Sequence, residues 1–396
     1  MARMVGTVAR GIRAPIIREG DDLVEIVVDS VLKCAKEENF SIKDRDVIGI
    51  TESLVARAQG NYASIHDIAF DIDRKFKGDN IAVVFPILSR NRFSMILKGI
   101  ALTGKKIYLF LNYPSDEVGN CLVDIDKMHE LGVNPYSDTL SEKKYRELFG
   151  DKVVHPFTGI DYVQEYKELV GEDKIEIYLT NDPREALKFT NEILVANIHE
   201  RNRTKRMLHK AGSVNVHSLD EIINEPINGS GFNPEFGLLG SNKATEDKIK
   251  LFPRDCNKFV KEVQKLINEK TGKHVEVMVY GDGAFKDPVG KIWELADPVV
   301  SPGYTEGLKG RPHEIKLKYV ADNELCNLDK YKIEEEMKRK IREKEINQID
   351  EDVALGTTPR NLTDLIGSLC DLMSGSGDKG TPIIHVQGYF DNYASE

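Results

Sequence analysis

Ile81-Ala-Val-Val-Phe-Pro-Ile-Leu88, Arg92-Phe-Ser-Met-Ile-Leu-Lys-Gly-Ile-Ala-Leu102 and Lys106-Ile-Tyr-Leu-Phe-Leu-Asn-Tyr113 follow one another with only short breaks. The outer two are short, apolar and rich in β-branched or aromatic residues, as strands are. The middle one spaces its apolar residues as a helix does. Strand, helix, strand is a βαβ unit, so the chain is predicted to be mixed α/β or α+β. Downstream, a helix from Asp161 to Val170, a strand at Lys174-Ile-Glu-Ile-Tyr-Leu-Thr180 and one long helix from Asp182-Pro183 to near Gly212 complete a central region, residues 63–212, predicted to be its own domain.

The flanks read differently. Leu23, Ile26, Val27, Val31, Cys34 and Ala35 keep helical spacing after Gly20-Asp21. Asp46-Val-Ile-Gly-Ile-Thr-Glu-Ser53 is an apolar strand that turns polar at its carboxyl end, where α/β proteins commonly hold ligands. After Gly212, the stretch Val214–Ile223 gives way to a Gly- and Asn-rich passage, residues 228–242, that reads as an ordered loop or short strands. A helix from Asp255 to Lys270 stops at Gly272, and His274-Val-Glu-Val-Met-Val-Tyr280 is a strand. Glu314-Ile-Lys-Leu-Lys-Tyr-Val320 is a further predicted strand, followed by a charged helix over Leu328–Ile346, a helix over Asn361–Met373 and a closing strand after Pro382.

Composition narrows the function. The 396 residues are enough for two or three domains. Lys plus Arg number 55 against 65 Asp plus Glu, and the net charge of −10 repels phosphate backbones, so no nucleic-acid partner is expected. No run approaches the ~18 apolar residues of a membrane span, and Met1–Asp22 lacks the apolar core of a secretory signal; a cytoplasmic location with no membrane partner is expected. Five cysteines are scattered without a CxxC pair, so neither a disulfide framework nor a zinc ribbon is indicated. The nine histidines form no HExxH and there is no GxSxG elbow, which removes two hydrolase classes.

Three places could carry chemistry. Gly375-Ser-Gly-Asp-Lys-Gly380 matches GxGxxG in letters, but a helix precedes it and a strand follows, the reverse of the dinucleotide-binding order. Its glycines would let backbone N–H groups turn toward one anion beside Lys379, with Asp378 available to a cation; a glycine-capped helix end explains the same residues. Gly281-Asp282-Gly283 ends a strand, either as a tight turn or as a carboxylate freed for a hard cation. Asp21-Asp22 favour a helix start, and Arg57 could meet a phosphate or an acidic neighbour. The basic run Arg201, Arg203, Lys205, Arg206, His209 and Lys210 is expected at the carboxyl end of the long helix, solvated.

These places, in this order, resemble the coenzyme F-420 gamma-glutamyl ligase family. Pro15-Ile-Ile-Arg-Glu-Gly-Asp-Asp-Leu23 and the Asp46–Gly60 stretch are similar to that family's P-x-I-K-x-G-D-D-L and D-V-x-V-x-x-x-x-V-S-K-A-E-G. Gly240-Ser-Asn242 with the strand ending near Asp282, and Leu369–Met373 with Pro382–Gly388, supply two further matches. The resemblance implies a ligase-like core formed by residues 1–62 and 213–396, interrupted by the central domain. It implies GTP or ATP as co-substrate, magnesium or manganese, L-glutamate and a small-molecule carboxylate acceptor as partners, an acyl-phosphate route and a homodimer. Nucleotide contacts fall on Pro15, Ile16, Glu52, Ser53, Arg57, Asn242, Ser374, Gly375, Ser376, Gly377, Lys379 and Gly380; metal ligation falls on Asp282, with Asp378 the nearest carboxylate in the glycine turn. No catalytic residue is assigned. Two departures stand out: Leu239 replaces a metal-binding Asp, and Gly375 or Ser376 replaces an acidic ligand. A folate-like or other glutamylated acceptor, or a non-catalytic nucleotide- or metabolite-binding role, are the alternatives.

Overall fold

Side chains alternate faces along a strand, and that alternation divides Val47–Thr51 between two helical layers. The computed structural model of the chain describes residues 4–156, 158–281, 284–286, 293–295, 301–344, 352–354, 360–375 and 377–395. The chain is mixed α/β and divides into two compact units, residues 1–59 with 255–396, and residues 60–254.

In the first unit a five-stranded sheet runs in the order Val8–Ile12, Ile383–Gln387, Val47–Thr51, Glu276–Tyr280, Gly303–Tyr304. Val47–Thr51 and Glu276–Tyr280 are parallel; the other pairings are antiparallel. Ile48, Ile50, Val277, Val279 and Ile383 pack under the helices Leu23–Glu37 and Cys256–Thr271. Val47, Met278, Tyr280, Ile384 and Val386 face the helix Leu362–Met373 through Ile366 and Cys370. The sheet is therefore covered on both faces, which is why its strands read as continuous apolar runs. Gly49 sits under that second helix, where an added Cβ would lie 2.5 Å from Cys370 Sγ.

The second unit is a six-stranded sheet in the order Leu140–Ser141, Ile175–Leu179, Lys106–Leu111, Asn80–Val84, Glu192–Val195, Asn215–Ser218. All pairings but the first are parallel. Counted along the chain, the five parallel strands stand in the order 3-2-1-4-5, that of a doubly wound sheet whose direction of winding reverses beside its first strand. Helices cover both faces: Ile65–Lys75, Phe93–Leu102 and Tyr162–Val170 on one, Arg201–Lys210 on the other.

Three expectations need correcting. The long helix over 182–212 is instead a 3-10 helix, Pro183–Lys188, the strand Glu192–Val195 and the helix Arg201–Lys210. Ile193, Leu194 and Val195 are fully buried between two parallel neighbours, and a short apolar run carries no periodicity that separates strand from helix. Arg201 and Arg203 consequently open a helix rather than close one, and acidic partners offset them: Arg201 meets Asp220 at 3.3 Å and Arg203 meets Glu200 at 2.7 Å. The expected strand Glu314–Val320 contains the short helix Leu317–Tyr319, which runs into a π-helical turn, Val320–Glu324. Only Val320 of its alternating apolar residues is fully buried, in a small cluster with Leu325, Met337 and Ile341. Finally, residues 213–254 lie with the central unit: Asn215–Ser218 is its edge strand, and Lys248–Lys250 pairs with Tyr62–Ser64.

Two outcomes are expected. Gly49→Ala should lower stability by roughly 1–3 kcal/mol through overpacking against Cys370, and Cys370→Ala in the same chain should recover part of it; calorimetric unfolding of the four proteins of the cycle reads this directly. Asp161 caps the helix Tyr162–Val170 and accepts from Gln164 N and from both terminal nitrogens of Arg146, at 2.6 and 2.9 Å. Burial pushes its carboxyl up, but these donors outweigh burial and hold it below the ordinary 3.8. Its stabilisation is thus complete above that value and lost as pH falls through the lower, folded one. Asp161→Ala should cost roughly 3 kcal/mol at neutral pH, with wild type and variant converging in an acid titration of the unfolding midpoint.

Candidate functional site

Strand direction decides which chain segments meet. Val47–Thr51 and Glu276–Tyr280 finish side by side, with Thr51 opposite Tyr280. Val8–Ile12 ends, and Ile383–Gln387 begins, at the same edge, since Ile12 pairs with Ile383 and Ile383 with Ile50. The amino-terminal loop, the start of the helix Glu52–Ala58, Gly281 and the glycine turn therefore all leave one end of one sheet.

Backbone bonds lock these segments together. Ala14 N donates to Gly380 O at 3.2 Å and Thr51 N to Pro382 O at 3.1 Å, fixing the glycine turn against both earlier segments. Arg57 Nε donates to Ile17 O at 2.6 Å, and Gly20 N to Ala58 O at 2.9 Å, so the loop carrying Pro15 and Ile16 is held to the helix carrying Arg57. Ile17 is buried while Ile16 is 83% exposed, an apolar side chain held in solvent beside the turn's anchor.

The turn itself is closed by a bridge between Gly375 and Thr381, with Gly380 in the left-handed region at φ +62°. A Cβ on Gly375 would come within 2.6 Å of Lys379 Cβ, so glycine is what allows the lysine stem to fold back over the turn. Gly377, Asp378 and Lys379 are exposed. Ser374 ends the preceding helix, its hydroxyl donating to Asp371 O at 3.1 Å. Burial pushes the Tyr280 phenol up and the neighbouring Ser374 side chain partly offsets it. Glu52 is buried and accepts from Ser53 Oγ at 3.1 Å. Burial, assisted by the Glu52 carboxylate, pushes the Cys256 thiol up to about 12.

Pro15, Ile16, Glu52, Ser53, Arg57, Ser374, Gly375, Gly377, Asp378, Lys379 and Gly380 thus gather at one sheet end. Asp282 and Ser376 lie outside the described residues. Asn242 belongs to the second unit, in the short strand Asn242–Lys243 paired with Lys248–Lys250. Among the described residues no three His, Cys, Asp or Glu side chains gather as a metal cage. Asp378 is exposed on the glycine turn, and its carboxylate is one that could meet a divalent cation.

Sequence reasoning missed Gly11 and Tyr280. A Cβ on Gly11 would sit 3.2 Å from Thr381 Cβ, so this glycine admits the glycine turn to the first strand; a glycine inside a strand is the available signal of close backbone approach.

Residues 11–388 match the family model described as F420-0:Gamma-glutamyl ligase. No curated protein matches the chain. No described helix is long and apolar enough to cross a membrane.

The thiols offer a check on this geometry. Cys256 beside Glu52 is expected to resist iodoacetamide in the native protein at mildly alkaline pH, while the exposed Cys326 is alkylated. Peptide mass spectrometry after native labelling reads both, and rapid modification of Cys256 would contradict its buried placement.

Proposed function

Because the chain belongs to the F420-0:gamma-glutamyl ligase family, whose members form gamma-glutamyl amide bonds, we propose that it joins L-glutamate to a small-molecule carboxylate acceptor at the expense of GTP or ATP. The observation that carries this reading is the meeting of the glycine turn, the Pro15–Ile17 loop and the Arg57 helix at one sheet end.

A carboxylate resists attack by an amine, so it must first be activated. One acceptor carboxylate oxygen attacks the γ-phosphorus, the bond to the bridging oxygen breaks, and a nucleoside diphosphate leaves. The deprotonated amine of glutamate then attacks the acyl carbon and expels inorganic phosphate, forming the amide. The first step is mostly positioning and charge neutralisation. Lys379 supplies a compact positive charge, Arg57 a guanidinium tied at Nε to Ile17 O with its terminal nitrogens left for a phosphate, and the turn's backbone N–H groups the fixed dipoles. Ile16, apolar and exposed, covers a base in this reading. Magnesium or manganese, arriving with the triphosphate, supplies further neutralisation; Asp378 and Asp282 are its protein ligands in this reading. A homodimer in solution is part of the proposal.

The purified chain given GTP or ATP, magnesium or manganese, glutamate and a panel of deazaflavin- and folate-type acceptors is expected to release phosphate only with acceptor present, and to yield a product heavier by one glutamyl residue. Lys379→Ala should slow turnover about a hundredfold without lowering the unfolding midpoint, and Asp282→Asn should abolish it. Nucleotide binding that needs no metal, with silence across the panel, would instead favour a non-catalytic binding role.

A further inference from the structure

The second unit carries a cavity of about 390 Å³ at the carboxyl ends of its parallel strands. Each of four strands contributes: Phe85 follows Asn80–Val84, Asn112 and Tyr113 follow Lys106–Leu111, Asn181 lies just beyond Ile175–Leu179, and Asn197 lies just beyond Glu192–Val195. Winding reverses between the first and the last of these, and doubly wound sheets hold ligands in that crevice.

The charges lining it are already engaged. Asp116 accepts from Leu88 N, Val118 N, Asn120 N and Asn120 Nδ2 at 2.8–3.1 Å. Glu117 accepts from the backbone N–H groups of Ile198 and His199, tying two lining loops together. Arg203 is paired with Glu200. Most backbone donors of the turn after the first strand are also engaged: Phe85 N donates to Phe110 O, Leu88 N to Asp116 and Ser89 N to Tyr166 Oη, and Pro86 has no N–H.

Among the described residues that line the crevice, one buried polar atom is unmatched. Asn197 is only 4% exposed, its Nδ2 donates to Thr204 Oγ1 at 3.1 Å, and no described group donates to its Oδ1. Rotating the amide only exchanges an orphaned acceptor for an orphaned donor. A buried amide oxygen left unmatched costs about as much as a lost hydrogen bond, and a ligand hydroxyl or N–H beside it removes that cost. Phe85, Tyr113 and Met207 offer an apolar wall.

We propose that this crevice binds a small uncharged ring-bearing polyol, with Asn197 as its buried anchor. Nucleosides and free sugars share that chemistry, and a cavity of this size accommodates either. Saturation-transfer NMR on the full chain, with adenosine, guanosine and uridine in one arm, ribose and glucose in another, and the nucleoside 5′-monophosphates in a third, separates the sources. An uncharged probe is expected to bind, and its monophosphate to bind no better. Asn197→Leu should weaken the bound probe about tenfold, whereas Lys379→Ala, in the other unit, should leave it unchanged, so failure of the ligase reading and failure of this one are told apart. Met207→Trp, at a half-buried position on the wall, should also block the probe if Asn197→Leu fails to fold by far-UV circular dichroism. No signal from any uncharged probe, or binding indifferent to both cavity variants, overturns the proposal.

Discussion

The structure of the first unit depends on one pairing: the strand Ile383–Gln387 inserted between Val8–Ile12 and Val47–Thr51. Chain ends almost the full sequence apart must meet for it to form, and loop closure of that length is slow to repay its entropy. What holds the strand in register is polar. Asp46 Oδ2 lies 2.8 Å from His385 Nε2 and accepts from Gln387 Nε2 at 3.1 Å and Lys43 N at 2.9 Å. His385 stacks on Phe40 at 5.0 Å, and Arg10 lies over the same ring. A slip of one residue would turn Ile384 and Val386 from one helical layer to the other and pull His385 and Gln387 off Asp46 together. With register fixed there, the glycine turn at the other end of the strand is set against Ala14 and Thr51, so the candidate nucleotide site inherits its geometry from a buried cluster outside it.

The second unit shows architecture parting from chemistry. Its strand order is that of a dinucleotide-binding sheet, yet Phe85-Pro86 stands where a glycine loop would be. Phe85 adopts φ +63°, a strained backbone for a side chain of its size, and its ring is buried. The crevice is thus lined with amides, aromatic rings and already paired charges, and the ligand proposed for it differs accordingly.

Elements whose burial follows their own period were legible in the sequence. Val47–Thr51, Asn80–Val84, Lys106–Leu111 and Glu276–Tyr280 are buried on both faces and read as apolar runs; Phe93–Leu102 and Cys256–Thr271 read as helices, the latter stopped by Gly272 at φ +69°. Glu192–Val195 was hidden because four residues cannot display a period. The unit boundary at 254 was hidden because only the non-local pairing of Lys248–Lys250 with Tyr62–Ser64 reveals it. Of the candidate site, the glycine turn and Arg57 could be read locally; the Ala14–Gly380 and Thr51–Pro382 bonds that bring them together could not. The crevice of the second unit left no trace in sequence because its lining comes from four strand ends and uses residues common in loops.

Leu239 bears on how such a ligase could work with fewer acids. The resemblance drawn from the sequence leads one to expect a metal-binding carboxylate at this position, but here Leu239 is 6% exposed in the core of the second unit, beside Leu238 and Leu251. The next residue, Gly240, has φ +70° and lies where a Cβ would strike the Phe252 ring. A carboxylate inserted into this corner would lose its water, a cost of several kcal/mol. The substitution is therefore bound to the packing around it and cannot be reversed alone. In the proposed ligase reading, neutralising a triphosphate then falls more heavily on protein cations, which are long-reaching and mobile where a metal cage is fixed. The Arg57 Nε bond to Ile17 O and the folding of the Lys379 stem over Gly375 answer that need, each removing freedom from a side chain that would otherwise spend it in solvent.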